Sequence, residues 1–158
     1  MDQLECSVAT EKDIAFINEV YHENIAALHG TQRDHDTWKE LLSADNTIYY
    51  IVYAAAPIAW LRIDLEEDAL WLGMLQVKPT YQRKGIGRYI LSVVETMAKE
   101  RGIRKIGIHT TEDNAAARAL YLSAGYEVTE IGPCTTADGA ERVGYTFEKQ
   151  IEFAAPGV

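Results

Sequence analysis

The stretch 82–88 combines positive charge with glycine at the beginning of a helical pattern. Its basic residues and glycines are Arg83, Lys84, Arg88, Gly85 and Gly87. A cation at a helix N-terminus costs about 0.3–1 kcal/mol unless an anion offsets it, because the helix dipole is positive there. Glycine leaves backbone N–H groups uncovered, so that they can donate to such an anion. The pattern therefore predicts a phosphate-binding turn.

Two familiar phosphate-binding loops do not fit these residues. A dinucleotide-binding fingerprint requires a third glycine three residues after Gly87, where the chain has Ile90. A Walker loop requires Gly-Lys followed by Ser or Thr, and the sequence contains no such tripeptide. The turn therefore belongs to another class of phosphate site.

A phosphate turn of this kind needs a strand before it and a helix after it. Residues 70–77 form a mostly apolar run, which is typical of a strand buried on both faces. Pro79 ends this strand because proline has no N–H to donate. From Ile86 onward apolar residues recur at helical spacing, and Gly102 provides the stop. The sequence thus predicts a strand, the turn and an amphipathic helix in succession.

The residues from Val77 to Gly87, VKPTYQRKGIG, resemble the acyl-CoA-binding signature of the GNAT acetyltransferase superfamily. A second block, Asn114 to Tyr121 followed by Gly125-Tyr126, also resembles that family, and the two blocks have the order and separation found there. The resemblance covers about Ile48 to Phe147. It implies an α/β fold, the GNAT fold, with a mixed central sheet of about seven strands flanked by about four helices.

The resemblance also implies that acetyl-CoA is the cofactor and CoA a product. The phosphate turn would hold the CoA pyrophosphate, and the strand at residues 75–77 would offer backbone N–H groups to the acyl carbonyl. Fixed donors of this kind are worth roughly 3–4 kcal/mol each. Carried onto this sequence, the cofactor-binding residues are Leu75, Gln76, Val77, Gln82, Arg83, Lys84, Gly85, Ile86, Gly87, Arg88 and Asn114.

Two residues are the candidates for proton transfer. Tyr121 lies seven residues after Asn114, where the family has its general-acid tyrosine, and a phenol of pKa about 10 can protonate a departing thiolate. The branch that acetylates ribosomal-protein N-termini has a glutamate base five residues before the motif asparagine, and here that residue is His109. An imidazole of pKa about 6.5 could accept the ammonium proton. A structural histidine fits the position nearly as well.

Many family members instead carry a glutamate base on the core strand, but this strand has no carboxylate. The positions concerned are Trp71, Gly73, Met74 and Leu75. The carboxylates of residues 66–68 are weaker candidates for the base, because a turn carboxylate is normally just solvated. No group of residues has metal-ligand spacing, so the sequence predicts no metal site.

The composition is that of a globular protein, with 158 residues of which 47% are hydrophobic and 25% charged. We expect a single GNAT domain over residues 1–153 and a flexible tail over residues 154–158. The N-terminus lacks the basic and apolar regions of a signal peptide, and no apolar run approaches about 20 residues. Both observations favour a cytoplasmic protein without membrane association. Cys6 and Cys134 are expected to be free thiols.

The chain is strongly acidic, with a net charge of −9 and a pI of about 4.9. This charge argues against nucleic acid as a partner, because binding a phosphate backbone requires a basic face. It is compatible with a cationic substrate such as an amine, and solubility alone explains it equally well. The sequence leaves the oligomeric state open, with a homodimer as one option.

The segment before residue 48 predicts two helices. One runs from Thr10 to about Leu28, with Thr10 and Asp13 as a capping box, and a shorter one is capped by Asp34 or Asp36. In the GNAT family the connection between these helices shapes the site of the acceptor amine. The candidate acceptor contacts are therefore His22, His29, His35 and Asp34. For each of them taken alone, a surface role is more common.

Together these residues predict an acetyl-CoA-dependent N-acetyltransferase that acts on a primary amine of a small molecule or a peptide. The amine would attack directly in a ternary complex, because no Cys/His or Ser/His/Asp constellation indicates an acyl-enzyme. Two alternatives stay open, a protein N-terminal acetyltransferase of the ribosomal-protein type and a non-catalytic acyl-CoA-binding module. The missing strand carboxylate favours the module, and the presence of Tyr121 opposes it.

Overall fold

The computed structural model describes residues 3–153 and shows a seven-stranded sheet with helices on both faces. The strands are β1 (Glu5–Val8), β2 (Thr47–Ala54), β3 (Ala56–Leu65), β4 (Ala69–Val77), β5 (Lys105–Thr111), β6 (Glu127–Thr135) and β7 (Glu141–Gln150). The helices are α1 (Ile14–Glu23), α2 (Ile25–Leu28), α3 (His35–Leu42), α4 (Ile86–Glu100) and α5 (Ala115–Ser123). This architecture confirms the predicted α/β fold with a mixed seven-stranded sheet.

The strand order is β1-β2-β3-β4-β5-β7-β6, and of the six neighbouring pairs β4–β5 is parallel while the others are antiparallel. The parallel pairing joins Ala69–Leu72 only to Lys105–Ile108, although β4 continues to Val77 and β5 to Thr111. The two strands therefore diverge at their carboxyl ends. We call the gap between residues 73–77 and 109–111 the split.

Two apolar cores hold the helices against the sheet. The larger core lies under α4 and α5 and includes Leu61, Leu72, Ile90 and Phe147. The smaller core lies under α1 and α3 on the opposite face and is centred on Trp38, which is fully buried. Alternate residues of each strand point to opposite faces, so that the sheet separates the two cores.

Helix α4 forms as the apolar spacing predicts. Its buried face consists of Ile86, Ile90, Leu91, Val94 and Ala98. Gly102, with φ of +69°, follows the helix in the left-handed region that favours glycine. The helix therefore runs directly from the phosphate turn across the sheet.

Strand β4 contains a β-bulge that its apolar sequence did not indicate. Met74 pairs with Arg62 and Leu72 with Ile63, so Gly73 is the extra residue, and it is exposed. A Cβ at Gly73 would overlap the guanidinium of Arg62. A side chain at Gly73 would therefore displace the Arg62 guanidinium from Asp64, and the strand is not buried continuously on both faces.

The first predicted helix is divided in the structure. A 3₁₀ turn at Glu11–Asp13 with the expected Thr10 capping box precedes α1, and Asn24 separates α1 from α2. The division raises the number of helices from about four to five. Its physical reason is that the Asn24 side chain binds the end of β4, as described below.

The carboxyl-terminal strands β6 and β7 pair antiparallel and form a hairpin. Residues 136–140 make a tight turn, in which Thr136 N–H donates to the Ala140 carbonyl at 3.0 Å. The predicted tail at 154–158 lies outside the described residues. Within residues 3–153, no helix is long and apolar enough to cross a bilayer.

Candidate active site

The phosphate turn presents free backbone N–H groups at the beginning of α4. Gly85 is the N-cap with φ of +84°, and the first helical hydrogen bond runs from Tyr89 N–H to the Gly85 carbonyl at 3.0 Å. The N–H groups of residues 86–88 therefore have no partner within the helix. Arg83 also has a positive φ, +61°, which is uncommon for a side chain of this size. This backbone is shaped to receive an anion.

The three basic side chains of the turn are all exposed, but they differ in their contacts. Lys84 Nζ lies 5.5 Å from the centroid of the Tyr81 ring. Arg88 donates from Nη2 to Ser123 Oγ at 2.9 Å, which ties the start of α4 to the end of α5. Arg88 thus already has a structural partner, whereas the phosphate turn as a whole keeps its positive charge at the surface.

The two glycines of the turn have different roles. No atom lies within 4 Å of a Cβ built on Gly85, so a side chain there would point into open space. A Cβ on Gly87 would lie 2.8 Å from Cδ2 of Leu120 in α5. Gly87 therefore permits the close packing of α4 against α5, and Gly85 supplies the left-handed backbone.

A network of side-chain amides ties the end of β4 to the α1–α2 junction. Asn24 donates from Nδ2 to Gln76 Oε1 at 3.1 Å and to the Val77 carbonyl at 3.0 Å. Gln82 donates from Nε2 to Asn24 Oδ1 at 3.2 Å and to the same Val77 carbonyl at 3.1 Å. The Gln82 side chain thus positions the beginning of the phosphate turn, and Gln76 is a buried partner of Asn24.

The same geometry shows which peptide groups of β4 face the split. Lys78 N–H donates to the Ile58 carbonyl at 2.9 Å, which makes these two opposed residues a hydrogen-bonded pair between β4 and β3. Hydrogen-bonded pairs alternate along an antiparallel ladder, so Gln76 and Trp60, which are also opposed, direct their peptide groups between the same two strands. The peptide groups of the intervening residues, Leu75 and Val77, point to the other edge of β4. The N–H groups that can reach an acyl carbonyl in the split are therefore those of Leu75 and Val77.

Tyr121 lies on α5 in the larger core. Its side chain is 7% exposed and packs against Phe147, with ring centroids 5.4 Å apart. Burial disfavours the charged phenolate and raises the pKa of Tyr121 to about 12. The hydroxyl is therefore protonated at neutral pH, as a proton donor must be. Asn114 holds the start of this helix, because its Oδ1 accepts from Ala117 N–H at 3.2 Å.

His109 is the first residue of β5 beyond the parallel pairing with β4. It is exposed and lies on the sheet face opposite Ile108 and hence opposite Tyr121. Its ring stacks on that of Trp71, with centroids 4.9 Å apart, and its Nδ1 lies 3.0 Å from Thr146 Oγ1. The structure therefore places His109 at the edge of the split and Tyr121 in the core on the opposite face of the sheet.

The remaining predicted candidates lie elsewhere. The carboxylates of residues 66–68 are in the turn before β4, four or more residues from the split, and they are exposed. His35 is exposed beside Asp36. His22 is used structurally, since its Nδ1 bonds to the Asn18 carbonyl and its Nε2 accepts from Arg33 N–H at 3.3 Å. His29 has a distinct role and contacts Asp113 at 2.7 Å.

Sequence reasoning missed Asn24 and Asp113. Asn24 lies where the apolar stripe of the first helix would continue after Tyr21, and a polar residue at that position was a usable signal. Asp113 directly precedes the motif asparagine and carried no signal of its own. Its partner is 84 residues away in the chain, a distance that no local pattern spans.

A phosphate turn beside a split parallel strand pair is an arrangement suited to an acyl-CoA-binding acyltransferase. Residues 14–126 match the Acetyltransferase (GNAT) family. The chain belongs to this family, is an N-acetyltransferase and uses acetyl-CoA as its cofactor. The free N–H groups of the turn and of β4 fit that cofactor.

Two comparisons illustrate the relationship. The chain is 32% identical over 126 residues to the [ribosomal protein bS18]-alanine N-acetyltransferase of Escherichia coli (strain K12), covering 73% of this chain and 84% of that protein. The crystal structure of the ribosomal-protein-S18-alanine N-acetyltransferase from Escherichia coli superposes with a TM-score of 0.78 at 21% identity and covers 99% of each chain.

Two further solved structures share the fold. The structure of yncA from Salmonella typhimurium with its cofactor acetyl-CoA has a TM-score of 0.75 at 22% identity, with 98% of each chain covered. Spermidine N-acetyltransferase from Vibrio cholerae in complex with CoA and spermine has a TM-score of 0.82 at 16% identity, with coverages of 94% and 96%. At these identities the likeness shows the fold alone.

Proposed function

We propose that this enzyme transfers the acetyl group of acetyl-CoA to a primary amine by direct attack, with His109 as the base and Tyr121 as the acid. The observation that carries this proposal is that His109 is the first residue of β5 beyond its parallel pairing with β4, on the sheet face opposite the core that contains Tyr121. An amine approaching from the His109 face and a thiolate leaving on the Tyr121 face would both reach the split.

The phosphate turn and β4 would hold the thioester. The pyrophosphate would accept from the N–H groups at the start of α4, where the helix dipole favours negative charge. The acyl oxygen would accept from Leu75 or Val77 N–H, and its negative charge grows as the tetrahedral intermediate forms. One such donor is worth roughly 3–4 kcal/mol in the transition state.

The base would act through Nε2 of His109. When Nδ1–H donates to Thr146 Oγ1, the lone pair of Nε2 is available to accept a proton from the acceptor ammonium. The neutral amine nitrogen then bonds to the acyl carbon, and the C–S bond breaks as the intermediate collapses. Trp71 fixes the plane of the imidazole by stacking.

The acid would act at the sulfur. The Tyr121 hydroxyl gives its proton to the departing CoA thiolate, and the burial that raises its pKa also keeps it protonated until charge develops on sulfur. The products are an amide and CoA with a free thiol. The ammonium loses two protons in all. The first goes to His109 before attack and then to solvent, and the second leaves the nitrogen of the tetrahedral intermediate and restores, through water, the proton that Tyr121 gives to the thiolate.

Thiol release tests the proposal. Acetyl-CoA is incubated with spermidine, with free amino acids and with an alanine-terminated peptide, and mass spectrometry identifies the acetylated product. We expect release of CoA to depend on one class of amine. Binding of acetyl-CoA without turnover on any amine would instead indicate a non-catalytic acyl-CoA-binding module.

A peptide α-amine is the second candidate acceptor class, that of a protein N-terminal acetyltransferase. The supporting observations are the 32% identity to a protein-alanine N-acetyltransferase and the position of His109 five residues before Asn114. A control peptide has a methylated α-amine and a free lysine side chain. Turnover of the alanine-terminated peptide but not of this control would favour a protein N-terminal acetyltransferase. A cytoplasmic setting and a homodimer stay predictions, the latter measurable by light scattering.

A further inference from the structure

Helix α2 connects the two diverging strands at their open ends. At its beginning, Asn24 binds the Val77 carbonyl at the end of β4. At its end, His29 Nε2 lies 2.7 Å from Asp113 Oδ2, two residues beyond the end of β5. Residues 24–29, which we call the strap, therefore run from one side of the split to the other.

The length of the strap suits this position. Five residue steps in helical geometry span about 7.5 Å, whereas paired neighbouring strands lie about 4.8 Å apart. The strap is therefore longer than an ordinary strand spacing, as a segment that connects two diverging strands must be. Its exposed face consists of Ala26 and Ala27.

His29 fastens the strap by two independent bonds. Its side chain is 14% exposed and binds Asp113, while its carbonyl accepts from Asp138 N–H of the β6–β7 turn at 3.0 Å. Its backbone has φ of +51°, in the left-handed region that few residues other than glycine adopt and in which histidine is among those tolerated. The bonds at its side chain and its carbonyl together hold the end of the strap in place.

We propose that the strap closes the acceptor side of the split and keeps water from the thioester, with His29 as the positioning residue that holds it shut. This inference rests on the proposed function. Water attacking the acyl carbon would break the C–S bond and give acetate and CoA, which wastes the thioester. A closed site suppresses this side reaction while the acceptor amine is absent.

Acceptor-independent thiol release measures the closure directly. In His29→Ala the strap loses its bond to Asp113, and we expect the rate of acetyl-CoA hydrolysis without amine to rise at least fivefold at unchanged affinity for acetyl-CoA. His29→Gln retains an Nε2–H donor and should restore most of the wild-type rate. The control His35→Ala removes an exposed histidine beside Asp36 and should change nothing.

A double-mutant cycle connects the effect to the bond. Asp113→Ala should raise hydrolysis as much as His29→Ala, and the double variant should add little to either. Hydrogen exchange of peptides covering residues 24–34 should accelerate in all three variants. An unchanged rate of hydrolysis in a folded His29→Ala variant that binds acetyl-CoA normally would overturn the proposal that the strap excludes water.

The outcome is separable from that of the proposed function, because hydrolysis requires acetyl-CoA alone. If the wild-type enzyme binds acetyl-CoA and acetylates none of the amines, the proposed acceptor chemistry fails. The hydrolysis comparison still tests whether the strap keeps water from the thioester. If acetyl-CoA does not bind, both fail together, and calorimetry with CoA shows that directly.

Discussion

The imidazole of His109 lies flat against the indole of Trp71, with the ring planes 7° apart and the centroids separated by 4.9 Å. Trp71 extends over Gly107, where a Cβ would overlap its six-membered ring. The glycine therefore admits the indole, and the indole supports the histidine. This arrangement orients a titratable ring at the split in a strand pair that carries no carboxylate there.

The first prediction concerns His109 as the base. In the wild-type enzyme kcat/KM should rise with pH as an imidazole loses its proton. His109→Gln keeps a hydrogen-bonding side chain but cannot titrate, so it should flatten this limb and lower kcat/KM by about 10²–10⁴. The measurement is the pH profile together with the melting curve of the same variant.

Thr146→Val provides the matched control for this test. It removes the hydroxyl beside Nδ1 and keeps the shape of the side chain, so the titrating limb should persist at a reduced rate. A His109→Gln variant that is less stable but retains the wild-type pH limb would assign His109 a purely structural role.

The second prediction concerns Tyr121. Tyr121→Phe removes the proton donor and keeps the ring against Phe147, so kcat should fall by about 10²–10⁴ with little change in the affinity for CoA. A kcat within about threefold of wild type would mean that the thiolate leaves without this acid. Steady-state kinetics and calorimetry with CoA give the two quantities.

The raised pKa of Tyr121 also fixes a pH dependence. Its folded-state pKa of about 12 is above the ordinary value of about 10. The stability that this difference contributes is therefore fully present below pH 10 and is lost as the pH rises through the folded pKa. We expect no decline of kcat from this group up to pH 10, and a decline that begins at pH 8 would identify another acid.

How much of the fold the sequence predicts depends on the range of the interactions involved. Helix α4 is determined by residues within one or two turns, and its local apolar spacing predicted it. At the Gly73 bulge, the guanidinium of Arg62 on the neighbouring strand occupies the space that a side chain would take. A cross-strand conflict of this kind leaves no trace in the spacing of apolar residues.

The candidate site divides in the same way. The signature around Gly85 indicated the phosphate turn, because the backbone and charge requirements of the turn lie within a few residues. The network at Asn24 and the bond between His29 and Asp113 join residues 52 to 84 positions apart, so they follow from the completed fold. The acceptor side of a site assembled from loops is therefore less predictable than its cofactor side.

The third prediction concerns the phosphate turn. Gly85→Asp places a carboxylate at the start of α4 in open space, where it should weaken binding of CoA at least tenfold by repelling the pyrophosphate. Gly102→Asp is the matched control, because Gly102 also has a positive φ and open surroundings but lies at the other end of the helix. Calorimetry with CoA compares the two.

Gly87 is unsuitable for this comparison, because its packing against Leu120 would make loss of binding and loss of structure inseparable. Equal affinities of the Gly85→Asp and Gly102→Asp variants for CoA, with both folded, would remove the turn from the cofactor site.

The last prediction concerns the network at the end of β4. Asn24→Ala removes the amide group that donates to the Gln76 side chain and to the Val77 carbonyl. The buried Gln76 amide oxygen then lacks this partner. An unsatisfied buried group of this kind costs about 1–3 kcal/mol, so the free energy of unfolding in urea should fall by that amount.

Gln76→Met fills similar volume without a polar atom, and the Asn24→Ala/Gln76→Met double variant should therefore lose less than the sum of the two single losses. A coupling energy of about 0.5–3 kcal/mol is expected for residues in direct contact. Strictly additive losses would show that Asn24 stabilises the α1–α2 junction by some route other than this bond.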